Sequence, residues 1–546
     1  MSDPIVTTTN PRPESAVLDS AHVGDIRGAM GTIRRDDTAP RKGVGAKLRT
    51  LIAIIGPGLI VMVGDNDAGA FGTYTQAGQN YGTRLLWTLL LLVPVLYVNQ
   101  EMVLRLGAVT GVGHARLILE RFGKFWGAFS VIDLLLLNGL TIVTEFIGMS
   151  LGLSYLGLPK VPGVVLAAVF VIAAASTGSF RRFERLCITL CALSLLLVPI
   201  VFMTHPPVGT IVHDFVVPGL PAGAELSTVV LLIIAIVGTT VAPWQLFFQQ
   251  SYVIDKRITP RFMNYEKADL WIGIVIVILG AGAMMAFTAS TFAGQPGFGN
   301  FTDAGGVAVG LETYVSRIAG VLFAIALIDA SIIGAAAVGL STSYAVADVL
   351  GLKHSLHRKP SDAKGFYVVF LLLIGVAATI VLIPGSPLGL LTVGVQTLAG
   401  VLLPSAAVFL LLLCNDREVL GPWANGPKTN LFTSAVIDVL VMLSLILTVS
   451  VLFPDISGTQ ILAILIGGSL LTMIGGLAVA VSRGKSPKRE PIQRAGKQSW
   501  RMPPLTLLGR PQLSTGRRLG LGVLRGYLLI ATALVIVRLV QLALGH

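Results

Sequence analysis

The chain has 546 residues, 54% of them hydrophobic and only 12% charged, with a mean hydropathy of +0.80. That composition is too apolar for an ordinary soluble surface and marks an all-α polytopic membrane protein. The net charge of +12 lies in short connectors between apolar runs, as membrane topology requires, so nucleic acid is excluded as the partner of the basic residues.

Residues 1–48 mix Pro, Asp, Arg, Ser and Thr without the apolar core of a signal peptide and read as a disordered cytoplasmic tail. Apolar runs long enough to span, about 20 residues each, follow at 49–79, 84–104, 126–155, 161–177, 183–204, 226–251, 268–293, 315–345, 365–384, 389–413, 433–453 and 459–482. A thirteenth run near 520–543, within a C-terminal segment 519–546, either spans or lies at the interface. It follows a basic cytoplasmic linker, 483–518. Basic connectors, among them Arg181/Arg182/Arg185 and Lys256/Arg257/Arg261/Lys267, alternate with loops 205–225, 385–388 and 454–458 that carry no Lys or Arg. The alternation places the N-terminus and the linker in the cytoplasm of a cell (plasma or inner) membrane protein.

Two spans are interrupted by polar residues. The first contains Gly64-Asp65-Asn66-Asp67-Ala68-Gly69-Ala70, and the sixth contains Gly238-Thr239-Thr240-Val241-Ala242-Pro243-Trp244-Gln245. Carboxylates and broken backbone at mid-span depth mark a cation or substrate site. The breaks are five spans apart, so their spans run in opposite directions. That predicts two inverted five-helix repeats, 49–204 and 205–414, each opening on a broken helix, followed by two extra helices in 415–482.

The carbonyl end of the first half-helix favours a cation, and Asp67 adds a hard anionic oxygen. Carbonyls freed around Thr239 and Ala242, with Gln245, add neutral oxygens; such a set suits Mg²⁺ or Mn²⁺. Asp65 or Asn66 either ligates or caps the following half-helix. Trp244 is either a gate or packing. The cysteines, Cys187, Cys191 and Cys414, form no ligand-spaced cluster, and none of the seven histidines falls within an apolar run.

The run Gly56-Pro57-Gly58, then Asp67-Ala68-Gly69-Ala70, then Gln76-Ala77-Gly78 resembles the first span of the NRAMP metal-transporter family. Arg105-Leu106-Gly107-Ala108-Val109-Thr110-Gly111, Thr144-Glu145-Phe146-Ile147-Gly148, and Gln396 with Leu403-Pro404 extend the resemblance over roughly 50–415. It implies a LeuT-like fold of 12–13 spans and a metal site at Asp67, Asp65, Asn66, Ala70, Thr239, Ala242, Gln245 and Gln396. The metal is substrate, and no cofactor or catalytic residue is expected.

Several departures bear on the ion. Ala242 replaces the family's metal-binding methionine, which relaxes discrimination against Mg²⁺, and the pattern looks like the NRAMP-related magnesium transporters. Trp244 and Gln249 replace two histidines and Ile142 replaces an acid, which implies uptake without proton coupling. Ala70 stands where the family has a ligating Asn. Glu145 either pairs with an arginine or functions, and Asp329 and Asp438 read as structural acids. The alternatives are a proton-coupled Mn²⁺/Fe²⁺ transporter, a Na⁺-coupled organic-solute symporter on the same fold, and a channel or sensor; an enzyme is disfavoured because no nucleophile-base constellation occurs.

Overall fold

In this computed structural model the described residues are 16–384, 388–453, 456–482, 496–509 and 520–530, with 511, 518, 533 and 537. Part of the basic linker, 483–495, and most of the thirteenth run beyond Ile530 lie outside them. Before the first span comes a two-stranded hairpin, β1 (Ile26–Arg27) and β2 (Thr32–Ile33), with Ile26 opposite Ile33.

The opening span has three pieces: α1 (Val44–Ile54), α2 (Pro57–Val63) and α3 (Ala68–Tyr81). Between α1 and α2 the axis bends by 53°. Gly56, at φ 153°, occupies a conformation closed to side chains, and Pro57 starts α2 where a missing N–H costs nothing. The remaining helices of the first repeat are α4 (Trp87–Thr110), α5 (His114–Phe122), α6 (Lys124–Tyr155), α7 (Lys160–Ala175), α8 (Phe180–Leu193) and α9 (Leu197–Thr204). Between α8 and α9 a 3₁₀ turn at Ser194–Leu196 keeps the fifth span continuous.

A short helix, α10 (Val208–Val216), leads to the sixth span, split into α11 (Leu226–Thr240) and α12 (Pro243–Asp255). Then follow α13 (Met263–Phe292), α14 (Ala304–Tyr314), α15 (Arg317–Leu350), α16 (Lys364–Leu382) and α17 (Leu388–Cys414). The chain continues through α18 (Arg417–Leu420), α19 (Pro427–Leu452) and α20 (Gly458–Ser482). Each of the twelve apolar runs coincides with helix. Among the described residues nine helices are long and apolar enough to cross a membrane, ten with α1 and α2 as one bent span.

The expected disordered tail is corrected for residues 16–48. Ala16, Asp19, His22, Ile26, Ala29 and Ile33 are buried, and α1 already begins at Val44. Gly28 and Gly31 sit directly on Ala53 of α1: a Cβ on Gly28 would lie 2.0 Å from the Ala53 carbonyl oxygen. The basic linker is likewise packed where it is described, since Met502 N donates to the Val109 carbonyl at 3.2 Å and Trp423 Nε1 to the Lys497 carbonyl at 2.7 Å.

Candidate functional site

The break between α2 and α3 is four residues long. Gly64 closes α2, and the amides of Asp65 and Asn66 bond back to the Met62 and Val63 carbonyls at 3.3 and 3.1 Å. These turn bonds engage carbonyls that were expected to face the break. Capping of α3 falls to Asp67 and not to Asp65 or Asn66: Asp67 Oδ1 accepts the Ala70 N–H at 2.9 Å. Ala70 therefore stands in the site as a backbone donor to Asp67, with a methyl group that offers no ligand.

The second break is Val241–Ala242. Pro243, the first residue of α12, has no N–H to give to the Thr239 carbonyl four residues back, and the Thr239 hydroxyl is buried without a partner. The Ala242 carbonyl accepts the Gln245 N–H at 3.2 Å. The Gln245 carboxamide is directed differently from the neutral ligand expected. Its Nε2 donates to Asp65 Oδ1 and, at 3.3 Å, to the Thr240 carbonyl, while its Oε1 accepts from Gln100 Nε2 at 2.8 Å. Gln100, in α4, was not expected at the site. Asp65 Oδ2 remains buried and unpartnered.

Gln396 of α17 closes the other side. A Cβ on Gly69 would lie 1.6 Å from Gln396 Nε2 and 3.2 Å from Asp67 Oδ1, so only glycine lets this amide reach the Asp67 end of α3. Asn66 turns away from the other candidates, donating from Nδ2 to the Val277 carbonyl of α13 at 3.2 Å. Tyr74, also missed in the sequence, contacts Thr240 Oγ1 at 2.6 Å and so ties α3 to α11.

Glu145 does not pair with an arginine. Its Oε2 accepts the Ala68 N–H at 3.1 Å, among the described residues its other oxygen is buried without a hydrogen-bond partner, and the Asp67 carboxyl group is its electrostatic neighbour. A Cβ on Gly334 would lie 2.7 Å from the Glu145 carboxyl carbon, so α15 must present a glycine there. Trp244 is fully buried between the end of α2 and α15: Ser341 Oγ donates to its carbonyl at 3.0 Å, and a Cβ on Gly64 would lie 3.8 Å from its ring. Asp438 accepts from Thr472 and ties α19 to α20. Among the described residues both oxygens of Asp329 are buried without a hydrogen-bond partner, and none supports the structural role expected for it.

Asp65, Asp67 and Glu145 are each 3% exposed or less, and among the described residues none of them forms an ion pair. Buried carboxylates without a cationic partner are costly, and a cation from solution offsets that cost. Among the described residues no three His, Cys, Asp or Glu side chains are grouped as a metal site.

The solved structures that resemble this chain define its class. The manganese transporter of Eremococcus coleocola, crystallised with an aromatic bis-isothiourea substituted compound, superposes with a TM-score of 0.63 over 82% of this chain and 98% of that one, at 20% identity. A Na⁺-coupled sialic acid symporter superposes with a TM-score of 0.51 at 16% identity, over 80% of this chain and 90% of that one. At such identities the likeness concerns the fold alone, which is the LeuT-type inverted repeat with broken first and sixth helices.

Within that class the chain belongs to the Nramp family, described as natural resistance-associated macrophage protein-like, whose model matches residues 58–450. Curated relatives agree. One is the divalent metal cation transporter MntH of Ralstonia nicotianae, 29% identical over 401 residues, covering 70% of this chain and 87% of that protein. Another is MntH of Latilactobacillus sakei subsp. sakei, 26% identical over 421 residues, covering 73% of this chain and 89% of that protein.

Proposed function

We propose that this protein carries divalent metal cations across a cell membrane by alternating access, with its N-terminus in the cytoplasm and the ion held between the two helix breaks. The observation that carries this reading is the burial of the Asp65 and Asp67 carboxyl groups without a cationic partner among the described residues, beside the amides of Gln245 and Gln396. Family membership and relatives named as divalent metal cation transporters support it.

The finer reading concerns the ion. The oxygens left for an ion are carboxylate oxygens of Asp65 and Asp67 with the Thr239 hydroxyl and carbonyl, and Ala242 stands in place of a thioether, a set that suits Mg²⁺ and Mn²⁺ over softer metals. The absence of histidine from the sixth span supports uptake driven by membrane potential, worth about 4.6 kcal/mol per 100 mV for a divalent ion at twice the single-charge figure. The contact between Glu145 and Asp67 favours a second reading, in which the two carboxyl groups share a proton that the metal displaces. Proteoliposomes loaded with a pH-sensitive dye separate the two. Mg²⁺ or Mn²⁺ uptake that scales with potential while lumenal pH stays constant supports the first; acidification that tracks metal entry supports the second; no uptake of either ion overturns the transport reading.

A further inference from the structure

Residues 16–42 lie across the end of the bundle at which the chain enters α1, and their bonds reach both repeats. Asp19 accepts the His354 N–H at 2.9 Å and the Arg358 Nε–H at 3.0 Å, both from the α15–α16 connection. His22 lies 3.5 Å from Asp255 at the end of α12, with its ring edge-on to His354 at 5.1 Å. Arg257, held at φ 66° just past α12, donates from Nε to the Ala21 carbonyl at 2.9 Å and from a terminal nitrogen to the Asp25 carbonyl at 3.0 Å.

On the first repeat, Arg181 and Arg185 of α8 donate to the Gly28 and Ala29 carbonyls at 3.1 and 2.9 Å, and Ala29 N donates to Glu184. Gly28 and Gly31 pack on Ala53 in the last turn of α1. Immediately beyond is the Gly56 bend, where Lys256 Nζ donates to the Ile55 carbonyl at 2.8 Å and pairs with Glu184 at 2.7 Å.

We propose that residues 16–42 form an autoinhibitory strap that holds the cytoplasmic gate shut and thereby sets the rate at which the site opens inward. This inference rests on the alternating-access reading above. Rocking of one repeat against the other, by which a broken-helix fold alternates access, moves α1 and α2 relative to α12 and the α15–α16 connection and so parts the Gly28–Ala53 contact from the Asp19–Arg358 and Arg257–Ala21 bonds. The anchors are charge-assisted and bidentate on one side and shape-matched glycines on the other, so the strap resists separation in both repeats. Its length is then a kinetic element and not a passive leader to the first span.

The test uses the full chain, a variant lacking residues 2–33, and full-length Asp19→Ala/Arg257→Ala, each reconstituted and checked for a monodisperse elution profile. Initial rates of Mn²⁺ uptake are measured beside hydrogen exchange of residues 44–63. Expected is faster exchange in α1 and α2 together with an initial rate raised several-fold at unchanged half-saturation. If the truncated chain does not fold, the double substitution decides. Unchanged exchange, or an unchanged or lower rate in a folded variant, overturns the strap. Lack of Mn²⁺ and Mg²⁺ uptake by the unaltered chain instead overturns the transport reading on which it rests.

Discussion

The Gln245 carboxamide donates to Asp65 across the gap between the two broken spans, and it is oriented by Gln100, whose Nε2 lies 2.8 Å from Gln245 Oε1. On the proposed reading Gln245 would act on the ion through Asp65, whose Oδ2 is buried without a hydrogen-bond partner among the described residues. A hydrogen bond to a charged group contributes about 1.5–3 kcal/mol, so Gln245→Leu is expected to lower kcat/KM for Mn²⁺ uptake by about tenfold or more. Gln100→Leu should lower it less. Transport kinetics in liposomes check both, and a Gln245→Leu variant with unaltered kcat/KM contradicts the positioning role.

Ala242 leaves a methyl group where a thioether would select soft ions. Ala242→Met is expected to strengthen competition by Cd²⁺ and weaken transport of Mg²⁺. The comparison is the Cd²⁺ concentration that halves Mn²⁺ uptake in the two proteins; equal values remove the selectivity argument.

Lys256 is fully buried beside Glu184, Glu266 and Asp269, and Asp269 accepts the amides of Gly56, Gly58 and Leu59 at 3.1, 2.6 and 3.2 Å. Removing one partner of a buried ion pair costs about 3–5 kcal/mol, so Lys256→Met should be strongly destabilised in detergent unfolding. Lys256→Met/Glu184→Met should recover part of that loss. A single variant as stable as the parent would show that the pair adds nothing to the α1–α2 bend.

His354 has Nδ1 2.6 Å from the Leu352 carbonyl and Nε2 3.0 Å from Asp348, two acceptors that only an imidazolium satisfies together. Desolvation by burial lowers the group, but the Asp348 charge and hydrogen bond, the Leu352 carbonyl and the Asp19 charge together outweigh it and raise the group from 6.5 to about 9, with His22 and Tyr344 also facing the ring. Because the folded value lies above the free one, the stabilisation is fully present below about pH 6.5 and is lost as pH rises through about 9. The stability difference between the parent and His354→Gln should therefore be constant in acid and shrink above neutral pH. A difference that grows with pH contradicts the assignment.

The two breaks, and the place of Asp67 in the first of them, were legible in the sequence because glycine, proline and carboxylates inside apolar runs are costly in hydrocarbon and persist where the chain bends or binds an ion. Which oxygen or amide faces which was not: the Gln396 amide packs against Gly69 only because that residue lacks a Cβ, and the Glu145 carboxyl group fits against Gly334 for the same reason. Residues 16–42 escaped notice because they bind largely through backbone carbonyls and glycines, which leave no hydrophobic pattern. Lys256 and Arg257 read as topological charges in a basic connector, yet one is buried against Glu184 and the other holds the strap.

We propose that a divalent cation is carried at Asp67. Mn²⁺ and Mg²⁺ uptake by Asp67→Ala, reconstituted at the same density as the parent and shown to be folded, tests it most directly. Uptake no greater than that of empty liposomes is expected for both ions. Uptake at the parental rate would contradict the claim.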